Sequence, residues 1–194
     1  MFKKLIVVFL SLLLLTSCGE EETNVLNAEG LSIFQWDKFS VGVPENWEIL
    51  NDKENLLPEP SEGNIELSAQ SKESKWGFFN NLLVLSDELN SFTDSTEFSI
   101  ANNVWARGLY LDYNELDNKI FEFVDGTVSQ LYVFEAKYNM ETPKIKFIQT
   151  AYVCNPKTGY LLTLAVSPTI KKTDKYQELL SSFTCTPDEG NIEL

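Results

Sequence analysis

The stretch Ile145 to Phe183 constrains this chain most. Lys144–Cys154 is rich in β-branched and aromatic residues, Asn155-Pro156-Lys157-Thr158-Gly159 has the composition of a turn, and Tyr160–Ser167 alternates with Tyr160, Leu162, Leu164 and Val166 on one face. A helix follows Pro168, at least over Asp174–Phe183, with Thr173 as its N-cap. Tyr176, Leu179, Leu180 and Phe183 recur at helical spacing, so this helix buries one side against the sheet. Two strands joined by so short a turn pair antiparallel.

The rest of the chain extends that unit. Leu31–Val43 reads as extended with a bend at Asp37-Lys38, and Phe39, Val41 and Val43 share a face. Pro44-Glu45-Asn46-Trp47 interrupts it before Glu48-Ile49-Leu50, and Asn51–Gly63 is a loop by its prolines and glycine. Asn64–Ala69 and Gly77–Ser86 are short strands. Asp94-Ser95-Thr96-Glu97 resembles a capping box and opens a helix over Ser95–Arg107, with Phe98, Ala101, Val104 and Trp105 as its apolar stripe. Ile120–Val124, the turn Asp125-Gly126 and Thr127–Lys137 form a hairpin. Its longer arm is apolar on both sides: Val128, Tyr132 and Phe134 on one, Leu131 and Val133 on the other, as in a strand covered twice. The fold class is therefore α+β, an antiparallel sheet with helices on both faces.

The N-terminus carries an address. Met1-Phe2-Lys3-Lys4 is basic, and Leu5–Leu15 is apolar but for Ser11, too short for a permanent membrane helix and shaped like a secretory signal. Leu15-Thr16-Ser17-Cys18 resembles the bacterial lipobox, in which the cysteine is lipidated and becomes the first mature residue; the alternative is an ordinary signal peptide with an accidental Cys18. The expected organisation is a signal peptide over 1–17, an acidic tether over 18–31, one domain over 32–185 and a tail over 186–194. Gly19-Glu20-Glu21-Glu22 resembles an acidic surface-export signal of Bacteroidetes-like bacteria, and reads equally as a solvated tether.

Charge and composition narrow function. The formal charge is −14, and losing the leader with Lys3 and Lys4 makes the remainder more acidic still. Such a chain repels nucleic-acid phosphates and anionic headgroups, so nucleic acid is not an expected partner and membrane attachment needs the lipid on Cys18. There is no histidine, which removes the commonest general base and the usual zinc ligand.

Phe39-Ser40-Val41-Gly42-Val43-Pro44-Glu45-Asn46-Trp47, the turn Val124-Asp125-Gly126 before a long strand, and Gly159-Tyr160–Val166 followed by a helix ending Leu180-Ser181-Ser182-Phe183 together resemble the PsbP-like family, which includes PsbP, Mog-type and DcrB-like proteins. The likeness covers roughly Ile33–Thr184. It implies an α/β/α sandwich. The family shares no catalytic site, so the resemblance transfers no active residues.

Three constellations remain. Asp112-Tyr113-Asn114-Glu115-Leu116-Asp117 begins like a calcium loop, but Leu116 stands where an oxygen ligand is needed, and a solvated acidic loop is the better reading. Trp47 and Trp105 stand where a core would use them, while Trp76 with Phe78 and Phe79 is a candidate docking patch. Glu62-Gly63-Asn64-Ile65-Glu66-Leu67 recurs verbatim as Glu189–Leu194, too short for a repeat architecture and attributable to chance or local duplication. No catalytic, cofactor or metal residues are assigned.

Cys154 and Cys185 are an expected disulfide in an exported protein. Tyr160–Ser167 climbs ~26 Å from the turn, the helix returns ~15 Å, and Thr184-Cys185 adds ~6 Å, which brings Cys185 most of the way back to Cys154. Two separate thiols is the alternative. The expected function is a non-enzymatic, membrane-tethered module that binds an envelope protein; a carboxylate-based enzyme or small-ligand binder is the alternative, favoured by a deep pocket with convergent carboxylates rather than a flat apolar patch.

Overall fold

The computed structural model describes residues 30–36, 38–50, 63–74, 77–155 and 157–186. The leader, Cys18, Trp76, most of the tail and the second hexapeptide lie outside the described residues. In chain order the elements are β1 (Leu31–Gln35), β2 (Phe39–Pro44), β3 (Trp47–Ile49), β4 (Asn64–Ser71), β5 (Asn81–Glu88), α1 (Ser95–Leu109), β6 (Leu111–Glu122), β7 (Val128–Lys137), β8 (Ile145–Asn155), β9 (Thr158–Val166), α2 (Asp174–Ser181) and β10 (Thr184–Cys185).

Seven strands form one sheet in the order β3-β4-β5-β9-β8-β7-β6, and three form a second in the order β1-β2-β10. Neighbours pair antiparallel throughout. The short turns and two-sided apolar strands explain the central meander β6 to β9. The second sheet is a difference from the single sheet expected: β1 folds back antiparallel on β2, and β10 pairs with the other side of β2 through Ser40 and Phe39.

One face of the large sheet carries the main core. Phe39, Val41 and Val43 of β2 meet Leu162, Leu164 and Val166 of β9, Leu179 and Leu180 of α2, and Phe183. The Phe39 ring lies 5.3 Å from that of Tyr160 and 5.1 Å from that of Phe183. Trp47 joins this core at 9% exposure. The other face carries a smaller apolar cluster, Phe134, Phe147, Ala136, Ile145 and Ala165, with Ala106 of α1. The two helices therefore cover opposite faces, and the mixed α+β class holds.

Two expectations change. Residues 112–117 are not an acidic loop but part of the twelve-residue edge strand β6. Its Asp, Asn and Glu residues are poor strand formers alone, and pairing with β7 imposes the strand, with register irregularities between Leu111 and Asn114 and between Glu115 and Asp117. The charges and the bulges also suit an unpaired edge, which they protect from further pairing. The second change concerns Val104 and Trp105 and belongs to the site below.

Candidate functional site

Helix α1 is built inside out. Asp94 caps it, its side chain accepting from Glu97 N at 2.8 Å, while Thr93 rather than the Asp94 backbone bonds the Glu97 carboxylate. Its buried residues are Ser95, Phe98, Ser99, Asn103 and Ala106. Beneath them the sheet is part apolar, where Ala106 joins the smaller cluster, and part polar, where the helix makes hydrogen bonds. Ser99 Oγ donates to the Gln130 carbonyl at 2.5 Å, Ser129 Oγ to the Ser95 carbonyl at 3.0 Å, and Val153 N to Ser95 Oγ at 2.9 Å. Asn103 Nδ2 donates to the Tyr113 hydroxyl at 2.9 Å and Asn103 Oδ1 accepts from Arg107 Nε at 3.0 Å. Gln149 is buried in the same sheet; its amide donates to Thr163 Oγ1 at 2.9 Å, and its Oε1 has no partner among the described residues.

Of the apolar stripe read from the sequence, Phe98 is buried, whereas Ala101, Val104 and Trp105 face outward beside Ile100 and Leu109. Ile100 is 43% exposed, Val104 63%, Trp105 55% and Leu109 55%. The expectation that Val104 and Trp105 pack in the core is thereby corrected: the Ser129 hydroxyl, the Gln130 carbonyl and the Val153 amide bond Ser95 and Ser99, and this brings the polar side of the helix onto the sheet, because buried polar groups need partners. Val104, Trp105, Gly108 and Leu109 enclose a shallow apolar groove of about 360 Å³, open because Gly108 has no side chain and no heavy atom lies within 4 Å of where a Cβ would sit. No charged residue interrupts the stripe. Glu97 stands in the first turn and Arg107 in the last, and Arg107 is engaged by Glu115 of β6, its guanidinium 5.7 Å from the Tyr113 ring centroid. Sequence reasoning missed Ile100, Gly108 and Leu109. The signal was a second stripe, Ser95, Ser99 and Asn103, spaced four apart.

A polar cleft of about 920 Å³ lies between the start of α2 and the β3–β4 edge, with Trp47, Glu73, Asn80, Lys175, Tyr176 and Glu178 among its walls. Asn80 is buried, but its Oδ1 accepts from Ser167 N at 2.9 Å and its amide donates to the Tyr176 hydroxyl at 3.1 Å. Burial pushes the Tyr176 phenol up. The Asn80 side chain thus ties the residue after β9 to α2 within the fold.

The remaining candidates are placed as follows. Phe78 packs against the smaller core and Phe79 is exposed, so the two described members of the aromatic patch occupy different surroundings. Asp112 pairs with Lys137 at 3.0 Å, which holds its carboxyl below the usual value, and Glu115 accepts from Arg107 and Asn118. No group of three or more potential metal ligands occurs among the described residues. Cys154 and Cys185 are joined, with Cα atoms 5.6 Å apart, inside the range a disulfide spans. No described helix is long and apolar enough to cross a membrane.

No family model matches this chain, and no curated protein matches it. Solved structures do. A protein of unknown function from Pseudomonas aeruginosa is 10% identical, with 81% of this chain and 99% of that one covered and a TM-score of 0.47. A chain from Bacteroides thetaiotaomicron is 10% identical, with 79% and 46% covered and a TM-score of 0.40. Cyanobacterial PsbP (CyanoP) from Synechocystis is 13% identical, with 89% of this chain and 99% of that one covered and a TM-score of 0.57. At that identity the similarity concerns architecture alone, and it agrees with the layers described above: the chain has a PsbP-like fold.

Proposed function

We infer that this protein is a non-enzymatic, lipid-anchored module of the bacterial cell envelope that binds another protein through the outer face of α1. The observation that carries the reading is the exposed side of the helix: an uncharged stripe of Ile100, Val104, Trp105 and Leu109 lies on the surface, while Ser95, Ser99 and Asn103 lie beneath with Phe98 and Ala106. An exposed apolar patch with a tryptophan at its centre is the composition of a binding hot spot. Charge selects the occupant. The chain's −14 disfavours a second copy and an anionic membrane, and favours an amphipathic helix with basic flanks. The alternative, a small-ligand binder using the cleft beside α2, is weaker because Asn80 is already engaged within the fold.

The test has two arms. Cys18→Ala should move the protein from the membrane to the soluble fraction and abolish fatty-acid labelling; unlabelled wild-type protein would end the lipoprotein reading. A photo-crosslinking amino acid at Val104, in cells, should give a discrete protein adduct that the same probe at Ile49 does not. A lipid adduct, an adduct of twice the chain mass, or none would overturn the docking assignment.

A further inference from the structure

The repeated hexapeptide has a place in the fold. Its first copy turns into β4 at Gly63 and runs along β5, pairing Asn64 with Ser86, Ile65 with Leu85 and Leu67 with Val84. Gly63 has φ +74°, and a Cβ there would lie 2.4 Å from the Ser86 carbonyl oxygen, so this position admits only glycine. Glu66 accepts from Ser86 Oγ at 2.6 Å, and Leu67 is buried in the main core. Every side chain that this slot selects recurs in the second copy: Gly190, Asn191, Ile192, Glu193 and Leu194. Among the described residues, the outer edge of Asn64–Leu67 pairs with nothing, since β3 reaches only Ala69 to Ser71. No described residue therefore locks the first copy in from that side.

The tail that carries the second copy also starts at the same end of the sheet. Cys185 is held 5.6 Å from Cys154. At the level of Cys154, Val153 pairs with Gly159 and Gly159 with Asp87, and one residue further Ser86 pairs with Asn64. Gly63 thus stands level with Cys154, three strands away. Three spacings are ~14 Å, and the five residues from Cys185 to Gly190 reach up to ~17 Å. Polarity agrees as well. β8 arrives at this end, β9 leaves, β5 arrives and β4 leaves, because each pair is antiparallel. A tail starting at Cys185 and running away from this end has the direction of β4.

We propose that the slot beside β5 is a binding site for the chain's own C-terminal hexapeptide, which replaces Gly63–Leu67 in cis. The two occupants make the same side-chain contacts, so the exchange is decided by the loops they close rather than by the strand pairing itself. Residues of α1 take no part, so this exchange stands or falls independently of the docking face.

A mutant cycle tests it on the full chain. Leu194→Ala alone should leave the melting temperature unchanged. Leu67→Ala should lower it by only a few degrees, because the tail substitutes. Leu67→Ala with Leu194→Ala should lower it by about 10 °C, as for an unrescued buried leucine. If the single Leu67→Ala and the double variant melt together, no exchange occurs. A second measurement needs no destabilised variant: Ser86→Cys with Asn191→Cys in the otherwise native chain, oxidised and mapped by mass spectrometry. An intramolecular 86–191 bridge is the expected result. Absence of that bridge, or a bridge only between two molecules, overturns the proposal.

Discussion

The two faces of the large sheet are held by different physics. On the face covered by β1, β2, β10 and α2, aliphatic and aromatic side chains interlock, and Phe39, Leu162, Leu164, Leu180 and Phe183 are fully buried. On the face covered by α1, much of the contact is serine, asparagine and strand carbonyl. The first arrangement draws its stability from apolar area, which is non-directional and large in sum. The second depends on directed bonds whose net worth is about 1 kcal/mol each, and whose loss leaves a buried group unpaired. A helix attached by directed bonds leaves its apolar residues free to face outward. The contrast predicts that substitutions on the first face are global in effect and those around α1 are graded.

The largest expected effect is at Trp47. Trp47→Ala removes a buried aromatic from the main core and should cost about 3–5 kcal/mol; an unchanged melting temperature would break the contrast at its strong end. Next is the link from β10 to β8. Cys154 and Cys185 close a loop across 31 residues, worth about 3–4 kcal/mol in the chain-entropy model. Reduction should lower denaturant stability by that amount, and thiol counting on denatured, unreduced protein should find neither cysteine free.

Gly159→Ala addresses the seam between the faces. A Cβ at Gly159 would lie 2.5 Å from the Phe98 ring, the one large apolar side chain that α1 buries. The expected cost is about 1–3 kcal/mol, with amide exchange rising in α1 before the rest of the sheet. Uniform exchange would mean that α1 and the sheet unfold as one unit.

Alkali should report on both faces. Burial first, then donation to Asp125, pushes the Tyr152 phenol up to about 12, and burial with Tyr138 raises Tyr110 further. Unfolded tyrosine titrates near pH ~10. The native state therefore holds these protons more tightly, so their stabilisation is intact below about pH 10 and is lost as pH rises toward 12. Melting temperature should be flat to pH ~9 and fall above pH ~10, with Tyr152→Phe and Tyr110→Phe each making the fall shallower. A fall unchanged in both variants would refute the assignment. The smallest expected effect on stability is at the outer face: Trp105→Gln with Leu109→Gln should change it by less than about 0.5 kcal/mol while abolishing the adduct formed by the probe at Val104. A large loss of stability would show that this stripe serves the fold.

Much of the fold was legible because local rules and tertiary contacts agreed there. Tyr160, Leu162, Leu164 and Val166 alternate as a strand must, Leu179, Leu180 and Phe183 recur as a helix must, Asp125-Gly126 is a turn with Gly126 at φ 84°, and the distances from Cys154 to Cys185 follow from strand and helix rise. Those features are set by backbone period and by turn chemistry, which the sequence contains in full. The edge strand β6 was not legible, since its polar residues lack strand preference and its pairing comes from β7. Nor was the second sheet, which needs β10 to return to β2 across the chain. The candidate site shows the division most clearly. The sequence determined that α1 is amphipathic, with apolar Ile100, Val104, Trp105 and Leu109 on one side and Ser95, Ser99 and Asn103 on another. Which side is buried was decided only by the surface waiting for it, where the Ser129 hydroxyl, the Gln130 carbonyl and the Val153 amide take hydrogen-bond partners that an apolar stripe does not have.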